Sequence, residues 1–313
     1  MTRAFVFPGQ GSQAVGMGRE LAEAFPVARQ VFEEVDDALS QKLSVLMAEG
    51  PEADLTLTEN AQPALMAVSL AVVRVLETEG GLDLAQAASF VAGHSLGEYS
   101  ALAAAGTFSI ADTARLLKIR GQAMQKAVPV GVGAMAALLG AELELAHEIA
   151  AAAAEGEVCE AANDNGGAQV VVSGHKAAVE RAMKIAGERG VKRAVLLPVS
   201  APFHCSLMQP AADAMAEALA NVAMAAPRVP LVANVTAGRV TAPDEIRDLL
   251  VRQVTGTVRW RESVLFMKAQ GVTTLVELGS GKVLGGLARR IDKELTGSSV
   301  GTPADVETFL KSL

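Results

Sequence analysis

Short unbroken apolar runs alternate along the chain with longer stretches in which apolar residues recur every three or four positions. The runs predict buried strands and the longer stretches amphipathic helices. Ala4-Phe5-Val6-Phe7 is one such run, stopped by Pro8-Gly9. Residues 89–92, 229–233 and 274–278, largely apolar, are expected to be further strands. Helical spacing predicts helices over 19–25, 27–39, 60–79, 97–105, 110–126, 207–222, 243–253, 260–270 and 281–291. Pro63 is expected in the first turn of the 60–79 helix, where a missing N–H is tolerated, and Gly80-Gly81 ends that helix. Strands alternating with helices imply an α/β protein with a parallel-sheet core.

Between Pro129 and Pro198 the pattern changes. It predicts a strand at 133–139, a helix at 142–154, strands at 158–162 and 169–173, a helix at 176–188 and a strand at 192–197. That β-α-β-β-α-β order is ferredoxin-like. The expected organisation is therefore a large α/β domain made of residues 1–128 and 199–313, with a ferredoxin-like small subdomain, 129–198, inserted in it.

Composition narrows the function classes. Half of the 313 residues are hydrophobic and a fifth charged, which suits a globular chain rather than a disordered one. A net charge of −8 without a basic stripe argues against a nucleic-acid partner. Apolar runs such as 149–154 fall short of the roughly 20 residues a membrane span needs, and residues 1–7 are too short for a signal sequence. Cys159 and Cys205 form neither a CxxC pair nor a metal-ligand spacing. The expectation is a cytoplasmic monomer with no membrane partner and no metal.

The chemistry centres on Gly93-His94-Ser95-Leu96-Gly97, which follows an apolar strand and opens a helix. This is the context of a G-x-S-x-G nucleophile elbow, whose tight turn lifts the serine clear of the sheet. The Leu96 amide would face an oxyanion forming beside Ser95. An ordinary serine N-cap is the blander reading. Of the four histidines, His94 adjoins the serine, and His147 and His175 belong to the insert. His204, in Ser200-Ala201-Pro202-Phe203-His204, lies where the chain returns to the large domain. It is the candidate general base, with a buried structural histidine as the alternative. Cys205 lacks an elbow and reads as a small buried residue. Gly9, Gly11 and Ala14 fit a dinucleotide fingerprint, but no acidic strand end follows about 20 residues later. That loop can instead offer backbone amides and the Gln10 side chain to an oxyanion or thioester. Gly279-Ser280-Gly281-Lys282 lacks the upstream glycine of a P-loop.

Taken together, Phe7-Pro8-Gly9-Gln10-Gly11-Ser12-Gln13, Gly93 to Glu98, Arg120-Gly121-Gln122-Ala123-Met124, Ala162-Asn163-Asp164-Asn165, Ser200 to His204 and Val251-Arg252-Gln253 resemble the malonyl-CoA:acyl-carrier-protein transacylase family of fatty-acid synthesis, nearly end to end. The resemblance implies an α/β-hydrolase-like large domain, Ser95 as nucleophile and His204 as base. It puts Gln10 and the Leu96 amide at the oxyanion hole, and a carbonyl of Gln253 on His204 where a hydrolase would use a carboxylate. Asp112 and Asp164 are the only aspartates between Ser95 and His204, and neither stands out as a third triad member. On composition alone Arg120 is an ordinary helical arginine; the resemblance makes it the partner of a malonyl carboxylate. It adds Met124, Phe203 and Asn163 as pocket residues, Phe203 leaving little room for an α-methyl branch. Malonyl-CoA and acyl carrier protein are the implied partners, with no cofactor beyond the coenzyme A and phosphopantetheine of the substrates. Lys282, Arg289, Arg290 and Lys293 are the candidate docking cations for an acidic carrier, with a solvated charged face as the other reading. The family often has proline after its Asn-x-Asn segment; this chain has Gly166-Gly167-Ala168. A serine thioesterase or esterase with the same elbow is the rival activity, and a catalytically dead carrier-binding scaffold the second.

Overall fold

A computed structural model describes residues 2–199 and 201–313; Ser200, quoted above with the His204 segment, lies outside the described residues. The strands are β1 (Arg3–Phe7), β2 (Phe90–Gly93), β3 (Gly133–Leu139), β4 (Cys159–Asp164), β5 (Gln169–His175), β6 (Arg193–Leu196), β7 (Leu231–Ala233), β8 (Gly238–Val240), β9 (Thr274–Leu278) and β10 (Thr296–Val300). Six of them form one sheet in the order β10-β9-β1-β2-β7-β8, parallel except for the β7–β8 hairpin. The other four form a separate antiparallel sheet in the order β4-β5-β3-β6.

The unbroken apolar run of β1 follows from its central place. Successive side chains point to opposite faces, and both faces are covered. Phe5 and Phe7 enter a cluster with Leu65, Val72, Leu102 and Leu117, from helices on one side. Ala4 and Val6 enter another with Trp260, Val264 and Leu284 on the other side. The antiparallel sheet has its own core, including Leu138, Ile149, Val172 and Val179. The antiparallel sheet meets the rest of the chain where β4 runs beside residues 257–258. Val258 N–H donates to Ala162 O at 2.9 Å and Asp164 N–H to Val258 O at 2.9 Å, and Asp164 pairs with Arg261 at 2.8 Å.

Several elements depart from the sequence pattern. The long helix is Thr58–Gly80, so Pro63 sits in its second turn rather than its first. This helix is also long and apolar enough to cross a membrane by length and hydropathy, contrary to the expectation from single apolar runs. Its side chains are instead packed inside the protein, with 83% of the apolar window buried. Helices Leu43–Glu49, Glu52–Thr56 and Pro303–Leu310 and strands β8 and β10 were not expected from the apolar pattern, although Thr302 and Asp305 form a capping box on the last of these helices. β10 is Thr-Gly-Ser-Ser-Val at an exposed sheet edge, where a polar strand protects against edge pairing. Strand β4 runs two residues further than expected, through Asn163 and Asp164, with a bulge at Ala161/Asn163. Gly166, Gly167 and Ala168 all have left-handed φ, 78°, 61° and 55°. Proline, locked near −65°, fits none of these positions.

One glycine sets how closely two core helices approach. At Gly121 in helix Ile110–Ala127, an added Cβ would lie 2.5 Å from Glu59 Cα in the Thr58–Gly80 helix. Gly121→Ala is therefore expected to lower stability by about 1–3 kcal/mol through overpacking. Gly286→Ala, in helix Val283–Ile291 with nothing within 4 Å of its Cβ, should raise it by up to about 1 kcal/mol. Denaturant midpoints of the two variants check the pair; equal effects would contradict this packing.

Candidate active site

The turn between β2 and helix Gly97–Ala104 is closed by contact. A Cβ on Gly93 would lie 1.9 Å from Gly97 C and O, and one on Gly97 would lie 2.2 Å from Phe7 O. Only glycine fits either place, so the chain can double back against β1. Ser95 between them has φ 54°, a left-handed conformation costly for a side-chain-bearing residue and common at functional sites. The turn is pinned by the residue that follows β7: Asn234 Oδ1 accepts from Ser95 N–H at 2.8 Å and Asn234 Nδ2 donates to Gly93 O at 2.7 Å. Gly97 N–H and Glu98 N–H donate to His94 O and Ser95 O. Among the described residues the Leu96 N–H has no such acceptor, and it lies at the start of the helix beside Ser95.

His204 also has positive φ, 57°, and is 3% exposed. Its Nε2 lies 2.7 Å from Ser95 Oγ. Its Nδ1 faces two carbonyl oxygens, Gln253 O at 2.9 Å and Gly256 O at 3.2 Å. Both are acceptors, so Nδ1 carries the proton and Nε2 is free to accept from the Ser95 hydroxyl. Burial, followed by the Arg120 charge, pulls the His204 pKa down to about 3, against the carbonyl bonds that raise it. The imidazole is thus neutral in the resting site, the form a general base needs.

Arg120 is 1% exposed. Its Nη1 donates to Gln62 Oε1 at 2.8 Å, and its Nη2 to Gln253 Oε1 at 2.8 Å and Ser95 Oγ at 3.2 Å. The guanidinium lies over the Tyr99 ring at 5.7 Å. Its buried Nε has no hydrogen-bond partner, and among the described residues no carboxylate forms an ion pair with it. Burial lowers its pKa from the ordinary arginine value. The nearby charges of Tyr99 and Glu98 oppose that shift, but a buried cation with no carboxylate in direct contact is costly unless a ligand supplies one.

The remaining candidates surround this pair. Met124, one turn beyond Arg120, has its Sδ 3.7 Å from Gln62 Nε2. Gln62 Nε2 also donates to Thr58 Oγ1, which donates to Gln10 Oε1 at 2.9 Å. A chain of hydrogen bonds therefore joins Arg120 to the Gln10 loop. That loop packs on the elbow, since a Cβ on Gly9 would lie 2.9 Å from His94 O. Phe203 is buried in the core that also holds Leu96, Tyr99 and Met124. Asn163 lies to one side, with its Nδ2 3.5 Å from His94 Nε2.

Other candidates turn elsewhere. His94 Nε2 bonds Asn165 Oδ1 at 2.8 Å, and its ring lies 5.9 Å from that of Trp260. His147 is exposed, and His175 Nδ1 accepts from Val158 N–H. Cys205 donates to Pro202 O and is buried, which pushes its thiol up to about 11. Ser109 caps the Ile110–Ala127 helix, accepting from Asp112 N–H and donating to Asp112 Oδ2, and Asp164 pairs with Arg261. A surface cleft of about 590 Å³, lined by Thr2, Arg3, Ala88, Arg228 and Arg239 among others, contains none of the candidate residues.

Residues 4–288 match the acyl transferase domain model. Over 308 residues the chain is 47% identical to the malonyl CoA-acyl carrier protein transacylase of Escherichia coli K12, covering 98% of each chain. The chain belongs to the malonyl CoA-acyl carrier protein transacylase family. The crystal structure of an acyl-carrier-protein S-malonyltransferase from Bartonella henselae aligns with TM-score 0.97 at 60% identity, over 100% of this chain and 99% of that one. A malonyl-transacylase solved in complex with a type II PKS acyl-carrier protein aligns with TM-score 0.96 at 43% identity, over 100% of both chains.

For this transacylase-family chain, sequence reasoning missed Gln62, Asn234 and the bonding of Glu98. Asn234 carried a signal, a polar residue directly after the apolar run 229–233 in a parallel-sheet protein, where functional groups gather. Gln62 and Glu98 sit inside helices and showed none. The His204 geometry makes a pH prediction. Its folded pKa is about 3 against an ordinary 6.5, so the unfolded chain binds the extra proton between those values and stability falls as pH drops through that window. Imidazole NMR should find His204 neutral and Nδ1-protonated at pH 5. Titration near 6.5 would contradict the burial and hydrogen bonding described.

Proposed function

We propose that this acyltransferase moves malonyl from malonyl-CoA to the phosphopantetheine thiol of an acyl carrier protein through a malonyl-Ser95 intermediate. The observation that carries the reading is Arg120: a buried guanidinium with no carboxylate bonded to it, its Nη2 3.2 Å from the candidate nucleophile. An acyl group bearing its own carboxylate completes that site; acetyl leaves it incomplete, at a cost of order 1–3 kcal/mol. Homologues named for malonyl transfer to carrier protein support the same substrate class.

In the proposed mechanism His204 Nε2 takes the Ser95 hydroxyl proton as Oγ attacks the thioester carbonyl. The tetrahedral oxyanion is held by the Leu96 amide and the Gln10 loop. It collapses with loss of the coenzyme A thiolate, which receives the proton from His204. The carrier thiol then enters, gives its proton to His204, attacks the Ser95 ester and leaves as the malonyl thioester, returning the proton to Oγ. This is a ping-pong cycle with no metal or organic cofactor. The Gln253 carbonyl fixes the imidazole but lends the imidazolium less than a carboxylate would. The substrate carboxylate offsets the Arg120 charge that lowers His204, so seating malonyl strengthens the base. Met124, Phe203 and Asn163 are proposed to shape the pocket.

The finer architecture belongs to the same reading. Residues 1–128 and 199–313 are an α/β-hydrolase-like catalytic domain, and 129–198 a ferredoxin-like subdomain, an assignment supported by the β4-β5-β3-β6 order. The protein is expected to act in the cytoplasm as a monomer. Lys282, Arg289, Arg290 and Lys293 are exposed and none is ion-paired among the described residues, which suits docking of an acidic carrier.

Intact-protein mass after brief mixing with malonyl-CoA or acetyl-CoA tests this. A malonyl adduct is expected that disappears in Ser95→Ala, with a preference over acetyl that falls roughly 10- to 100-fold in Arg120→Ala. Steady coenzyme A release without adduct would mean a hydrolase, and neither adduct nor release a non-catalytic scaffold. Charge reversal at Arg289 and Arg290 should slow only delivery to the carrier; equal slowing of acylation would refute the docking assignment.

A further inference from the structure

Glu98, the residue after the elbow's second glycine, is 1% exposed and has no part in the mechanism above. Its Oε2 accepts from Gln253 Nε2 at 2.8 Å and from Asn234 N–H at 3.2 Å. Gln253 Nε2 also donates to Ser95 O at 2.9 Å and lies 3.4 Å from Asn234 Oδ1. The other end of the same amide, Oε1, accepts from Arg120 Nη2. The amide therefore has one workable orientation. Reversed, its oxygen would face Glu98 and two other oxygens, and its NH₂ would face a guanidinium. Of the three acceptors around Nε2, Glu98 Oε2 is the nearest, at 2.8 Å against 2.9 Å for Ser95 O and 3.4 Å for Asn234 Oδ1.

We propose that Glu98 is a positioning residue for substrate selection: by fixing the Gln253 side-chain amide it holds the Arg120 guanidinium aimed at the acyl pocket beside Ser95. Gln253 then works at both ends, its backbone carbonyl orienting His204 and its side chain orienting Arg120. Burial pushes the Glu98 carboxyl up to about 7, while the bonds from Gln253 and Asn234 and the charge of Arg120 pull it down. The carboxyl group is thus kept buried at a cost that its contacts offset only in part, which fits a group retained for what it orients. The inference rests on the malonyl-transfer reading.

The test is the malonyl-to-acetyl ratio of Ser95 acylation rates, measured with the full chain. In Glu98→Ala, and in Gln253→Met, which keeps the backbone carbonyl, the ratio should fall roughly tenfold or more. The double variant should fall no further than the single ones, because the two residues act through one bond. Glu98→Gln retains an acceptor oxygen for Gln253 and should keep the ratio within about threefold of wild type. If Glu98→Ala does not fold, Gln253→Met and Glu98→Gln carry the test. An unchanged ratio in Gln253→Met, additive losses in the double variant, or a Glu98→Gln loss as large as that of Gln253→Met would overturn the proposal. A wild-type enzyme that shows no malonyl preference, or keeps it in Arg120→Ala, would instead refute the function on which the proposal stands.

Discussion

A guanidinium buried with no carboxylate bonded to it is the constraint around which this site is arranged. Desolvating Arg120 is expensive, and the protein compensates with neutral oxygens from Gln62 and Gln253 and with the face of Tyr99. Each of these comes from a different element: the Thr58–Gly80 helix, the Pro243–Thr255 helix and the elbow helix. Holding one cation therefore fixes three helices relative to Ser95. The close approach of helix Ile110–Ala127 at Gly121 belongs to the same arrangement, since it brings Arg120 within reach of Gln62.

The elbow supplies the second half. Gly93 and Gly97 let the turn fold onto β1, and Asn234, the residue that follows β7, clamps it. Ser95 and His204 both occupy left-handed backbone conformations, so neither side of the 2.7 Å bond between them is free to relax. Strain of this kind persists only where the surroundings over-determine it. Here that role falls to the β1–β2 pairing, the Asn234 clamp and the two carbonyls on His204 Nδ1.

Much of this was legible in the residues. Strands such as β1 and β3 announced themselves because burial on both faces leaves unbroken apolar runs. The elbow was legible because its glycines are sterically obligatory. Other parts left little trace. β10 pairs through its backbone with polar, exposed side chains, so no hydrophobic pattern marks it. The second-turn position of Pro63 depends on where the helix begins, which Thr58 and Leu57 do not signal. The bonding of Gln62, Asn234 and Glu98 arises only when distant elements pack together. A single polar residue inside a helix pattern carries no indication of which partner it will meet, and the family resemblance named the Gln253 carbonyl on His204 but not the groups that hold Ser95 and Arg120.

The most direct measurement is a crystal structure of the malonylated protein. The expected structure has an ester on Ser95 Oγ and the free malonyl carboxylate bound to Arg120, with Gln253 still on Nη2 and the carboxylate oxygens on the guanidinium positions now facing Gln62 or on the unpaired Nε. A carboxylate pointing to solvent, with Arg120 still bonded only to Gln62 and Gln253, would contradict it.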